Sequence, residues 1–222
     1  MAAGGGARGC TYHAGMNRCA GIVLAGGRSS RMGQPKAALD WHGRPLLAHI
    51  AGLLAHTVDG PIVVVRAPGQ ELPPLPAGVE LTVDAHEGRG PLEGIAAGLR
   101  AIGDRADRTY VSSTDVPLLQ PAFVRRVAAA LDEEADAAVP RVGGHAHPLA
   151  AVYRSTLLSR IETLLEADRL RASSLLEEIR VRWLDAGWLL ADPALRAADP
   201  KLDSLRNLNE PADYEAARTP DP

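Results

Sequence analysis

The run Leu24-Ala25-Gly26-Gly27-Arg28-Ser29-Ser30-Arg31-Met32-Gly33-Gln34-Pro35-Lys36 has the residue types that hold a polyphosphate. Glycines let a backbone curl tightly and present its N–H groups to phosphate oxygens. Arg31 and Lys36 add the cations that a triphosphate requires. The run lacks the Gly-Lys-Ser/Thr ending of a Walker A loop and the GxGxxG of dinucleotide binders. A plain glycine turn with solvated basic residues is the bland alternative. Asp115, in Thr114-Asp115-Val116-Pro117, brings the carboxylate that a triphosphate's Mg²⁺ accepts. On residue type alone it could equally cap a helix or form a turn.

Weaker signals follow along the chain. Asp84 ends the alternating strand Val79 to Val83, just before the loop into Gly90. Gly90-Pro91-Leu92-Glu93-Gly94 brings a backbone close to something bulky, either a ligand or a packed sheet, and Glu93 reads as a solvated helix residue. His145 and His147 alternate as strand neighbours do, but two histidines without further ligands are a poor metal signal. Arg169 and Arg171 could anchor a phosphate or simply end a helix in solvent. Asn207 and Asn209 could hydrogen-bond a ligand or a nearby backbone, and Asn209 could cap the helix opening at Pro211.

The elements that must position these groups alternate. Ala20 to Leu24, Pro61 to Arg66, Val79 to Val83 and Thr109 to Ser112 read as strands. Pro45 to His56, Pro91 to Ile102 and Pro121 to Ala135 read as helices, each opening on proline. Further strands are expected over Ala137 to Val142 and His147 to Tyr153, and helices over Thr156 to Ala167 and Ser173 to Ile179. Pro68 to Gly78 reads as a loop, and the tail as short strands and a final helix from Pro211. Strands alternating with helices imply an α/β fold: a Rossmann-like three-layer sandwich with a mostly parallel sheet, its ligands at the carboxyl ends of the strands. The loops after Leu24, Val83 and Val111 are therefore the informative ones.

The 222 residues suffice for one such domain, expected over 20–217, with 1–19 a flexible tail and 218–222 a short one; Met16 offers an alternative start. The formal charge of -3, from 24 basic and 27 acidic residues, argues against a nucleic-acid or membrane-surface partner. Cys10 and Cys19 match no disulfide or CxxC pattern, and no apolar stretch is long enough to span a bilayer, so a reducing cytoplasmic setting is expected.

Four segments, in this order and spacing, resemble one family. They are LAGGRSSRMGQPK from Leu24, Gly90-Pro91-Leu92-Glu93-Gly94, Thr114-Asp115-Val116-Pro117-Leu118, and Asn207-Leu208-Asn209-Glu210-Pro211-Ala212-Asp213. The first is a signature of the nucleotidyltransferase superfamily. Together they look like the molybdenum cofactor guanylyltransferases, MobA-like enzymes of nucleotidyltransferase fold. Related cytidylyltransferases usually carry LAAG in place of Leu24-Ala25-Gly26-Gly27.

The resemblance implies transfer of GMP from GTP to the terminal phosphate of molybdenum-molybdopterin, with release of pyrophosphate. It makes Arg31, Lys36 and Asp115 catalytic and Asp115 the Mg²⁺ ligand. It implies a nucleotide site of Leu24, Ala25, Gly26, Gly27, Lys36, Asp84, Gly90, Pro91, Leu92 and Asp115. His147, Arg171, Asn207 and Asn209 fall on the acceptor side. Transient contact with cofactor-delivery or acceptor proteins is a further implication. One departure stands out: the family often has Asn after the second strand, where this chain has Arg66. A transferase for another nucleotide or acceptor, or a non-catalytic nucleotide-binding regulator, are the competing expectations.

Overall fold

The computed structural model describes residues 18–26, 35–84 and 88–218. The expected tail 1–19 and Cys10 lie almost wholly outside them, as do Gly27 and Arg31. The described chain opens with strand β1 (Cys19–Leu24) and, after a single 3-10 turn at Lys36–Ala38, a small hairpin of β2 (Asp40–Trp41) and β3 (Arg44–Pro45). Helix α1 (Leu46–Ala55), strands β4 (Ile62–Arg66) and β5 (Val79–Val83), helix α2 (Pro91–Ile102) and strand β6 (Arg108–Ser113) complete the first half. Helix α3 (Pro121–Ala128) is followed by β7 (Ala137–Val142), β8 (His145–Ala146) and β9 (Ala150–Arg154). Helices α4 (Leu158–Glu166) and α5 (Ala172–Leu176), strand β10 (Val181–Leu184), and helices α6 (Ala186–Leu190), α7 (Pro193–Ala198) and α8 (Pro211–Arg218) follow.

The main sheet runs β10-β7-β9-β6-β1-β4-β5, with β8 paired to β7. β6, β1, β4 and β5 are parallel, and β10 is parallel to β7. β9 is antiparallel to both of its neighbours. Side chains alternate across each buried strand, so one strand feeds two cores. Val23, Ile62, Val64 and Tyr110 pack under α1 and α3 with Leu46, Ile50 and Phe123. Ala20, Ile22, Val63, Val65 and Val111 pack against α2 and α4 with Ile95, Leu99 and Ile161. This is the expected three-layer α/β sandwich around a mostly parallel sheet.

Several boundaries differ from expectation, each for a local reason. The helix expected over Pro121 to Ala135 stops at Ala128. Asp132 Oδ1 accepts from the Glu134 and Ala135 N–H groups at 3.1 Å each, a local alternative to helical bonding. The strand expected from His147 begins only at Ala150, because His147 to Leu149 form a turn closed by Ala150 N–H to His147 O at 3.1 Å. The tail holds one strand and two short helices instead of several strands. Asp185 and Asp192 nucleate those helices as N-caps, accepting from Trp188 N at 2.7 Å and Leu195 N at 2.8 Å. None of the described helices is long and apolar enough to cross a membrane.

Candidate functional site

Parallel strands deliver their carboxyl ends to one edge, and there the described chain brings Lys36, Asp115 and Asn209 together. β1 lies between β4 and β6, with Leu24 in register with both Val65 and Ser113. The segments after Leu24, Arg66 and Ser113 therefore leave side by side. Beyond β1, Ala25 N–H donates to Val65 O at 2.8 Å. Thr114 Oγ1 donates to Leu24 O at 3.0 Å, which fastens the start of the glycine-rich run to the segment carrying Asp115.

At this edge Lys36 Nζ stands 3.2 Å from Asp115 Oδ2, across 79 residues of sequence. Both side chains are about one-fifth exposed, at 20% and 19%. The Ser113 hydroxyl donates to Asp115 Oδ1 at 2.5 Å and orients the carboxylate from two residues upstream. Lys36 Nζ also donates to Asn209 Oδ1 at 2.6 Å. Asn209 arrives on the segment leading to α8, whose Leu208 N–H bonds to Asp115 O at 2.8 Å. Ammonium, carboxylate, hydroxyl and amide from three parts of the chain thus meet at this edge.

A divalent cation would meet one partly exposed carboxylate here. Among the described residues no group of three or more His, Cys, Asp and Glu side chains could form a protein cage. That donor set fits Mg²⁺, which takes one or two carboxylates, keeps waters and is completed by substrate phosphates; it does not fit a tetrahedral zinc site.

The remaining candidates fall into three places. Asp84 N–H bonds to Arg66 O at 2.8 Å, so Asp84 leaves the sheet beside the end of β4. Arg66, at the point of departure from the family pattern, donates Nη1 to Gln70 O at 2.6 Å. Gln70 in turn donates to Ala25 O at 2.9 Å and accepts from Ala67 N–H at 3.0 Å, bridging the ends of β1 and β4. Gly26 lies alongside, where a Cβ would approach Ala67 N at 3.6 Å.

The second place is the entry to α2. Gly90 has φ 81° and ψ 180°, and Pro91 and Leu92 begin the helix behind it. A Cβ at Gly90 would come within 2.9 Å of Leu170 O, so this turn lies against the segment holding Arg169 and Arg171. Arg171 is exposed just before α5, whereas Arg169 is engaged by Glu177 and Glu178. The other motif glycine does packing work: a Cβ at Gly94 would meet Leu24 Cδ2 at 2.9 Å, and one at Gly98 would meet Ile22 Cδ1 at 2.5 Å. Glu93 corrects the expectation of a solvated residue, being only 6% exposed. Arg89 Nη1 lies 4.0 Å from its carboxylate. Arg89 also donates to Leu165 O at 2.6 Å and to Asp168 Oδ1 at 3.2 Å.

The third place is the acceptor side. The β6–β9 register pairs Ser112 with Ala150, which puts the His147 turn at the carboxyl end of β6. Burial holds His147 below the ordinary imidazole range. His145 is exposed on β8 and does not share a strand with His147. Asn207 is exposed two residues before Asn209.

The sequence reading overlooked Ser113, Gln70, Arg89 and His49. His49 Nε2 lies 3.1 Å from Pro117 O and so braces the Asp115 segment from α1. Ser113 could have been found from its two-residue spacing to Asp115, and Arg89 from its four-residue spacing to Glu93. Gln70 and His49 carry no local signal.

Comparison with known proteins places this geometry in a family. A family model described as the MobA-like NTP transferase domain matches residues 21–182. A probable molybdenum cofactor guanylyltransferase of Mycobacterium tuberculosis (strain ATCC 25618 / H37Rv) is 36% identical, over 90% of this chain and 94% of its own. The protein of the same description in Bacillus cereus (strain AH187) is 32% identical, over 76% of this chain and 84% of its own. The crystal structure of molybdopterin-guanine dinucleotide biosynthesis protein A from Archaeoglobus fulgidus shares the fold, with a TM-score of 0.71 at 23% identity over 90% of this chain and 96% of that one. With an α/β sheet edge that joins Lys36 to Asp115 and a family match over most of its length, the chain belongs to the MobA-like NTP transferases and is a nucleotidyltransferase.

Proposed function

We propose that this enzyme transfers GMP from GTP to the terminal phosphate of a molybdenum-loaded molybdopterin, releasing pyrophosphate. The observation that carries the reading is the contact of Lys36 with Asp115 across the ends of β1 and β6. It joins a cation suited to phosphate with a carboxylate suited to Mg²⁺ at one sheet edge. The names of the relatives supply the guanine and pterin parts of the proposal.

The acceptor phosphate is already an anion near neutral pH, so its attack on the α-phosphorus needs no strong general base. Rate then comes from alignment and from charge stabilisation. Asp115, oriented by Ser113, would hold Mg²⁺, which when bound would supply positive charge to offset the negative charge of the triphosphate. Lys36, Arg31 and the N–H groups of the Leu24-to-Gly27 run would receive the departing pyrophosphate. Asp84 suits ribose hydroxyls, which donate, better than phosphate, which would repel it. The backbone of Gly90, Pro91 and Leu92 would read the base edge. A site that hydrogen-bonds one base can reject an analogue by about 10⁴-fold, since the wrong base leaves buried groups unpaired. Arg171, His147 and Asn207 would face the acceptor. Burial pushes the Cys19 thiol up to about 12, which keeps it protonated and unreactive.

Isothermal titration with GTP, CTP, ATP and UTP in the presence of Mg²⁺, followed by pyrophosphate release with molybdenum-loaded molybdopterin, tests the proposal. GTP preference with turnover is expected. A CTP preference would reject the guanylyl assignment, and GTP binding without pyrophosphate release would favour a regulator.

A further inference from the structure

We infer that Asn209 is a positioning residue for Lys36, holding its ammonium so that Asp115 keeps an oxygen for the metal. The inference rests on the reading of Asp115 as the metal site and deepens it. Asn209 was expected to touch the acceptor or cap α8, and in the described chain its side-chain oxygen accepts from Lys36.

The distances set the argument. Lys36 Nζ is 2.6 Å from the neutral Asn209 Oδ1 and 3.2 Å from the charged Asp115 Oδ2. Coulomb attraction alone would draw the ammonium onto the carboxylate. Nζ bonds both oxygens, and its shorter contact to the amide places Asn209 to limit how far the ammonium closes on Oδ2. Asp115 Oδ1 already accepts from Ser113, so Oδ2 is the oxygen at stake. A Lys36 closed tightly on Oδ2 would oppose a divalent cation twice, by occupying the oxygen and by like-charge repulsion.

Asn209 can do this because its segment is pinned at both ends. Leu208 N–H bonds to Asp115 O at 2.8 Å, which registers the segment on the metal carboxylate's own backbone. Beyond it, the Tyr214 hydroxyl donates to Asp40 O, and Arg218 donates to Asp40 Oδ2 at 3.0 Å. The Tyr214 ring lies 5.6 Å from that of Trp41. Asp40 and Trp41 follow shortly after Lys36, so α8 grips the chain on the lysine side while Leu208 grips the aspartate side. Asn209 sits between the two attachments and fixes the lysine relative to the carboxylate.

The test is Mn²⁺ binding in the presence of GTP and without acceptor, read by the electron paramagnetic resonance signal of free Mn²⁺. Asn209→Ala is expected to weaken Mn²⁺ binding about tenfold, the scale of a hydrogen bond to a charged group. Asn209→Gln, which keeps an amide oxygen, is expected to recover most of the loss. In a Lys36→Met background Asn209→Ala should change nothing, because the ammonium it restrains is gone. An equal loss in that background, or no loss with Lys36 present, would overturn the positioning role. Asn209 is exposed, so folding should survive, and Asn209→Ser serves if the alanine variant does not fold. Asp115→Asn separates the two levels. Undiminished Mn²⁺ binding in that variant sinks the metal site itself and the inference with it. Loss there, with an Asn209 effect indifferent to Lys36, sinks the inference alone.

Discussion

Replacing Gly90 with alanine tests whether the α2 entry and the Arg171 segment are one rigid unit. Gly90 adopts φ 81° and ψ 180°, a region that is essentially glycine-only and costs other residues about 1–3 kcal/mol. The new Cβ would also stand 2.9 Å from Leu170 O, a backbone atom that cannot rotate away. Forcing the two segments apart adds roughly 1–3 kcal/mol, the usual scale of overpacking. The sum, roughly 2–6 kcal/mol, corresponds to a fall in Tm on the order of 10 °C for a protein of this size. Gly88→Ala is the matched control, since Gly88 has φ 84° but nothing within 4 Å of its would-be Cβ. It should show the conformational cost without the contact cost. Differential scanning fluorimetry of both variants, with GTP titration of each, supplies the comparison. Equal melting of the two would refute the close approach to Leu170. A Gly90→Ala protein that melts and binds GTP like the parent would refute the whole chain of reasoning.

Asp115→Ala should reduce turnover roughly 100-fold or more while leaving the melting transition in place, because it removes the carboxylate proposed to hold Mg²⁺ from a partly exposed site; full activity would overturn that assignment. Lys36→Ala should raise the KM for GTP about tenfold through loss of a phosphate cation, and unchanged KM and kcat would contradict that role. Arg89→Ala removes donors to Leu165 O and Asp168 and should cost about 1 kcal/mol, given that the arginine is 30% exposed; urea titration with an unchanged midpoint would show the contacts to be idle. Burial lowers His49 from its ordinary 6.5, so the unfolded chain takes up protons first as pH falls. Stability is therefore full above about pH 6.5 and declines as pH drops toward the lowered folded value. His49→Gln should flatten that decline between about pH 7 and 5, and an identical slope would exclude His49 as its source.

Local chemistry was legible wherever the relevant residues are contiguous. The apolar runs of β1 and β4 and the prolines opening α2 and α3 announce their elements, because burial pattern and proline geometry act over a few residues. The glycine-rich run announces phosphate chemistry for the same reason, since backbone amides and cations lie within one short stretch. Asp115 announces itself through the strand that ends just before it. What the sequence could not decide is who meets whom. Lys36 reaches Asn209 across 173 residues, and only the order β4-β1-β6 makes Lys36 and Asp115 neighbours. Glu93 looks solvated in the sequence because a single helix shows no neighbour for its carboxylate, yet the folded chain leaves it only 6% exposed. Strand order and helix docking follow from the total apolar surface buried by the whole chain, and no window of a few residues contains that sum.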